Sequence, residues 1–309
     1  GLAIGDALGM PTQMMSRPAI AARYGAVAGF LPADADHPLA AGMPAGAITD
    51  DTEQALLLAR LLIEGRGHVD PTAFATALVA WEDDMRARGS LDLLGPSTKR
   101  AVEAVLAGEP VETAGRYGTT NGAAMRVTPV GIARAADDLP ALIDLVVEAS
   151  SVTHHTGVAL AGASAVAAAV STGVSGGDLG AAIARGAEAA ELAASRGYWV
   201  AAADVASRIR WAVTLADPAD ADARRSVELL AVVEFAAGSA VGDLEVGVVV
   251  VHAHRQRLGQ RRVLEVASAG VALPHECGLS SPPRGRIETG PRGTWFRYAL
   301  RATQPAHPR

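Results

Sequence analysis

Residues 49–54 read Thr-Asp-Asp-Thr-Glu-Gln and stand directly ahead of the apolar helical run 55–64. Adjacent carboxylates repel unless something cationic lies between them and a common ligand. A hard divalent ion such as Mg²⁺ or Mn²⁺, which takes carboxylate, hydroxyl and water oxygens, answers that arrangement. The same string also fits a helix start. Asp50 and Glu53 have the spacing of a capping box, and acids in a first turn favour the positive end of the helix dipole.

Three further strings carry polar chemistry. Gly5-Asp6-Ala7-Leu8-Gly9 followed by Pro11-Thr12 reads by itself as a helix broken by glycine and proline. Residues 118–126, Gly-Thr-Thr-Asn-Gly-Ala-Ala-Met-Arg, form a glycine-bounded polar loop entering a helix, a geometry that offers backbone N–H groups to an anion but also serves ordinary turns. Thr153-His154-His155-Thr156-Gly157 sets two histidines at the mouth of a small-residue helix. Neighbouring helical positions diverge, so one histidine faces a pocket while the other is capped or solvated. His252 and His254 would ligate a metal on a strand, although surface histidines are commoner. Gly-x-Ser-x-Gly, Gly-x-Gly-x-x-Gly and Walker-type loops are absent, which argues against a serine hydrolase, a dinucleotide oxidoreductase and a nucleotide kinase.

The elements that must position these residues are helical. Apolar residues recur at three-and-four spacing over 55–64, 71–88, 98–107, 139–152, 158–171, 178–196 and 198–215, and no convincing strand alternation precedes residue 240. This predicts an all-α domain. With 309 residues, 50% of them hydrophobic, the chain can bury a large core. A net charge of −6 gives no global attraction to nucleic acid or to a membrane surface, so a small or protein-borne ligand is expected. Residues 154–177, uncharged and built of small side chains, are long enough for a bilayer but weakly apolar, and read as a buried helix. Cys277, the only cysteine, excludes an intrachain disulfide and suits a cytoplasmic location. Opening at Gly1 with no charged-then-apolar leader, the chain reads as a fragment lacking its first turns. Past residue 240 the composition shifts: ten arginines oppose five acids over 241–309, prolines crowd the last thirty residues, and 246–251 offers one short strand or buried turn. Residues 1–240 are therefore read as a helical domain and 241–309 as an atypical, partly disordered segment, its composition resembling the alternative-frame reading of a GC-rich gene.

Taken in order, GDALGMPT (5–12), TDDTEQALLLA (49–59), GPST (95–98), TNGAAMR (120–126) and THHTGVALAGA (153–163) resemble the ADP-ribosylglycohydrolase family, which includes the dinitrogenase reductase-activating glycohydrolases. The resemblance runs from residue 1 to about 225. It implies an orthogonal helix bundle, two Mg²⁺ or Mn²⁺ ions below an ADP-ribose cleft, and metal-dependent hydrolysis of an ADP-ribosyl or related nucleoside-like glycosidic bond. Thr49, Asp50 and Asp51 fall on metal ligands, and Asp50, Asp51 and Glu53 on the catalytic group. Asp6, Gln13, Gly95, Ser97, Asn121, Gly122 and His154 fall on the substrate site, His154 facing the cleft and His155 pointing away. The implied partner is an ADP-ribosylated protein or a small ADP-ribosyl compound.

Two departures qualify the expectation. Gln13 stands where many family members carry a glutamate assigned as general base or gate; an amide cannot take that proton, which leaves Glu53, Asp6 or metal-bound hydroxide. The family's second ligand string, Asp-x-Asp-Thr, is missing, and Asp243-Leu244-Glu245 has only a related spacing. Weak metal affinity and low activity are therefore expected, and the alternative is a catalytically impaired paralogue that binds ADP-ribose without cleaving it. A purely structural helical protein whose carboxylates are caps is the third reading.

Overall fold

A computed structural model describes residues 1–25, 27–90 and 94–215, apart from the side chains of Arg17 and Leu215. Segment 241–309, with its expected strand or turn, Asp243, Glu245, His252 and His254, lies outside them. Eleven α-helices are present among the described residues: α1 (Leu2–Gly9), α2 (Arg17–Tyr24), α3 (Asp50–Glu64), α4 (Pro71–Ala87), α5 (Pro96–Leu106), α6 (Val111–Ala114), α7 (Thr128–Ala133), α8 (Leu139–Ser150), α9 (Gly157–Val174), α10 (Leu179–Ala193) and α11 (Val205–Leu215). One isolated parallel bridge, Thr156 to Tyr198, is the only β pairing there. The fold is all-α.

Local chemistry sets the helix starts. Asp70, Asp138, Thr156 and Asp178 each accept a hydrogen bond from the amide three residues on, and Pro71 and Pro140 occupy first-turn positions where a missing N–H costs nothing. Helix α3 starts at Asp50, five residues before the apolar run, so the acidic string itself winds into the first turn. Helix α11 starts seven residues later than the periodicity of 198–215 predicts. The backbone of Tyr198 is taken up elsewhere: its N–H donates to His155 O at 2.8 Å and its carbonyl accepts from Gly157 N at 2.9 Å. Helices α1, α2, α6 and α7 are too short for periodicity to announce.

One hydrophobic core joins residues of α4, α7, α8 and α9. Phe74, Leu78, Val130, Leu142 and Val146 are fully buried in it, together with Ala163, Ala167 and Ala168 of α9. Small residues let the helices come close: a Cβ at Gly131 would lie 2.4 Å from Ala167 O, and one at Gly157 2.1 Å from Ala194 O. Although α9 has the length and a mean hydropathy of 1.6 that a membrane span needs, α7, α8, α10 and α11 pack around it. A smaller cluster of Met10, Ala33 and Ala40 lies under the loop after α2. His37 ties that loop down, accepting at Nδ1 from the amides of Leu39 and Ala40 and donating from Nε2 to Gln13 O.

Candidate active site

The first turn of α3 is held from outside. Thr49, its N-cap, makes no capping bond with its own side chain. Asp6 of α1 performs that task, accepting from Thr49 N at 2.9 Å, from Thr49 Oγ1 at 2.7 Å, from Thr52 N at 3.3 Å and from the Thr52 hydroxyl. One carboxylate thus satisfies two of the amides that a helix start leaves unpaired. Asp50 and Glu53 do not form the capping box that their spacing suggested. Glu53 accepts from Trp81 Nε1 at 2.7 Å and from Arg88 Nη2 at 3.0 Å. Burial alone would push the Glu53 carboxyl up, but the bonds from Arg88 and Trp81 outweigh it and hold it below its ordinary value.

Asp50 and Asp51 extend from the same turn. Asp51 faces the Thr49 hydroxyl at 3.3 Å, and its proton affinity is raised, first by burial and then by the charge of Asp6. Asp50 lies within 3.5 Å of Gln54 Nε2. Like charges gathered in a half-buried place are the electrostatic condition that a cation relieves, and their donors are the hard oxygens Mg²⁺ and Mn²⁺ take. The number of donors is short. Asp6 is occupied as a cap and Glu53 as an ion-pair partner, and among the described residues no group of three or more His, Cys, Asp or Glu is disposed to hold a metal. Thr49, Asp50 and Asp51 furnish about three oxygens of the roughly six a hard cation takes, so they fit one half of a site.

A second polar group is joined to the first by Arg126, which the sequence reading left out of the site. Its guanidinium is wholly buried. Nη1 donates to Gln54 Oε1 at 3.1 Å, Nη2 donates to the Thr153 hydroxyl, and the group stands 4.8 Å over the Phe74 ring. Burial pulls its pKa down to about 9, and the charge of Asp50 acts against that fall. It remains a cation at neutral pH. The signal for it was the last residue of the motif 120–126; nothing in spacing distinguishes an arginine destined for the core from a solvated one.

His154 continues the chain. Its Nδ1 is 2.8 Å from Thr153 Oγ1 and its Nε2 is 2.9 Å from Thr120 Oγ1. It is fully buried, and burial together with the Arg126 charge holds its pKa well below the usual histidine value, so it is neutral. His155 points the other way, toward Glu112 O and edge-on to Tyr198. Gly122 lies against His154: a Cβ there would be 2.7 Å from Cε1 and 3.4 Å from Thr98 Oγ1. The 120–122 loop, the first turn of α5 and His154 therefore meet at one place. Asn121 is partly exposed at its edge, Ser97 is buried in that first turn, and Gly95 is the exposed N-cap of α5. Gln13 is partly exposed, and its carbonyl is bonded by His37 Nε2.

The chain spans about half the length of the curated relatives it matches. It is 39% identical over 176 residues, 57% of this chain and 52% of the relative, to the uncharacterized protein YegU of Escherichia coli K12. It is 38% identical over 175 residues, 56% of this chain and 53% of the relative, to an uncharacterized protein of Archaeoglobus fulgidus. The sequence model of the ADP-ribosylglycohydrolase family matches residues 1–270 and so runs past the composition change at residue 240. Five motifs in order, an all-α fold and a family match over most of the chain lead to one conclusion: the protein belongs to the ADP-ribosylglycohydrolase family, a family of glycosidic-bond hydrolases.

Proposed function

We propose that the protein hydrolyses an ADP-ribosyl or related nucleoside-like glycosidic bond with the help of Mg²⁺ or Mn²⁺. The observation that carries this reading is the crowding of Asp51 against Asp6, beside Asp50, in a turn that offers oxygen donors. In the reaction a water oxygen bonds to the anomeric carbon, the glycosidic bond breaks, and the departing group leaves with a proton. When bound, the ion would supply charge stabilisation at the ribose and an oriented water. Thr49, Asp50 and Asp51 would hold it. Glu53, kept charged by Arg88 and Trp81, is suited to fixing the turn rather than to carrying a proton, and Asn121 and Gly122 would offer backbone and amide groups to the ligand.

A second reading, an ADP-ribose binder that does not cleave, is favoured by the incomplete donor set among the described residues. The two separate in one experiment. The full chain is incubated with arginine-, serine- and small-molecule-linked ADP-ribose, with Mn²⁺ or with chelator, and free ADP-ribose is quantified. Ion-dependent release supports hydrolysis. Binding of ADP-ribose without release from any linkage supports the second reading, and neither binding nor release overturns both.

A further inference from the structure

The chain Asp50, Gln54, Arg126, Thr153, His154, Thr120, buried along its middle four members, has a direction. Arginine is a donor only, so the Thr153 oxygen accepts from Nη2 and the Thr153 hydroxyl proton must go elsewhere. Among the described residues its two candidate acceptors are His154 Nδ1 at 2.8 Å and Ser150 O at 3.5 Å. Ser150 O already accepts from the amides of Thr153 at 3.1 Å and His154 at 2.8 Å, which uses both of its lone pairs. The proton therefore goes to Nδ1. A neutral histidine that accepts at Nδ1 carries its proton on Nε2, and that N–H donates to Thr120 Oγ1 at 2.9 Å. Thr120, with its oxygen so occupied, keeps its own hydroxyl proton to give away. It is partly exposed, and among the described residues its hydroxyl makes no hydrogen bond besides the one with His154.

We propose that Arg126 is a positioning residue that sets the direction of this relay, holds His154 in its Nε2–H form, and turns the Thr120 hydroxyl into a donor toward anionic oxygens of the ligand. The ligand half of this rests on the proposed function. The relay half rests on geometry alone. His154 is thereby placed behind the ligand site, acting through Thr120 without touching the ligand.

The test reads the tautomer directly. In the full chain labelled with ¹⁵N-histidine, with His154 assigned by loss of its signals in His154→Gln, the ring nitrogens are expected to show a protonated Nε2 and a bare Nδ1 at pH 7. Thr153→Ser should keep this pattern; Arg126→Met and Thr153→Val should lose it. Should Arg126→Met fail to fold by circular dichroism, Thr153→Val alone carries the test, because it removes the same link with a smaller change of volume. A protonated Nδ1 in the wild type, or an unchanged Nε2–H form in Thr153→Val, overturns the relay. Calorimetry with free ADP-ribose supplies the second arm: Thr153→Val should weaken binding about tenfold or more, as for one hydrogen bond to an anion, and Thr153→Ser should restore it. Equal binding by wild type and Thr153→Val with an altered tautomer overturns the ligand half and leaves the proposed function standing. A wild type that neither binds ADP-ribose nor releases it from any linkage overturns the proposed function and Thr120's ligand together, and the tautomer still decides the relay.

Discussion

Asp6 accepts the hydroxyl proton of Thr49 at 2.7 Å across 43 residues of sequence, so the first turn of α3 is capped by a carboxylate borrowed from α1. Replacing Asp6 by Ala leaves two amides of the helix start and the Thr52 hydroxyl without their acceptor, and the Thr49 hydroxyl with only the longer contact to Asp51. The expected loss is about 2 kcal/mol of unfolding free energy, measured by urea denaturation, with faster hydrogen exchange at Thr49 and Thr52. Unchanged stability would show that solvent caps this turn equally well.

Asp51 lies beside the Asp6 charge, and Asp51→Asn removes that repulsion. Without divalent ions the variant should melt no lower than wild type, and slightly above it. In millimolar Mn²⁺ the order should reverse, because only wild type gains ligand stabilisation. A variant that is stabilised by Mn²⁺ as much as wild type would remove Asp51 from the ligand set.

Glu53 gives a pH signature. Its folded-state pKa is lower than the ordinary 4.5, so the bonds to Arg88 and Trp81 contribute stability that is fully present above about 4.5 and is lost as pH falls through the folded value. Glu53→Gln should cost about 1 kcal/mol at pH 7, a figure already discounted for the half-exposed Arg88, and the gap to wild type should close toward pH 3. A gap that stays constant with pH would assign the loss to packing against Trp81.

Gly122 tests how firmly His154 is clamped. Gly122→Ala places a methyl 2.7 Å from Cε1 of a fully buried ring bonded at both nitrogens. Overpacking of about 1 to 3 kcal/mol is expected in a denaturant titration. A neutral outcome would mean that the ring turns aside.

Much of this architecture was legible before any coordinates. Helical period located α4, α5, α8, α9 and α10 to within a few residues, because each has an apolar stripe long enough to repeat. What the sequence withheld were relationships across the chain. Asp6 looked like a substrate contact, yet its partners are Thr49 and Thr52; Glu53 looked like a cap or a base, yet Trp81 of α4 and Arg88 at its C-terminal end hold it. His154 was expected to face the cleft and is fully enclosed. Periodicity places a residue on a face but carries no information on which distant donor that face meets, and a buried cation such as Arg126 leaves no local mark.

The claim that a divalent ion sits at the first turn of α3 is tested most directly by titrating MnCl₂ into the full chain in a calorimeter, wild type beside Asp50→Asn. Saturable binding weaker than micromolar is expected in wild type, since Thr49, Asp50 and Asp51 leave water to complete the shell, and none in Asp50→Asn. Binding that persists unchanged in Asp50→Asn would place the ion elsewhere and contradict the account.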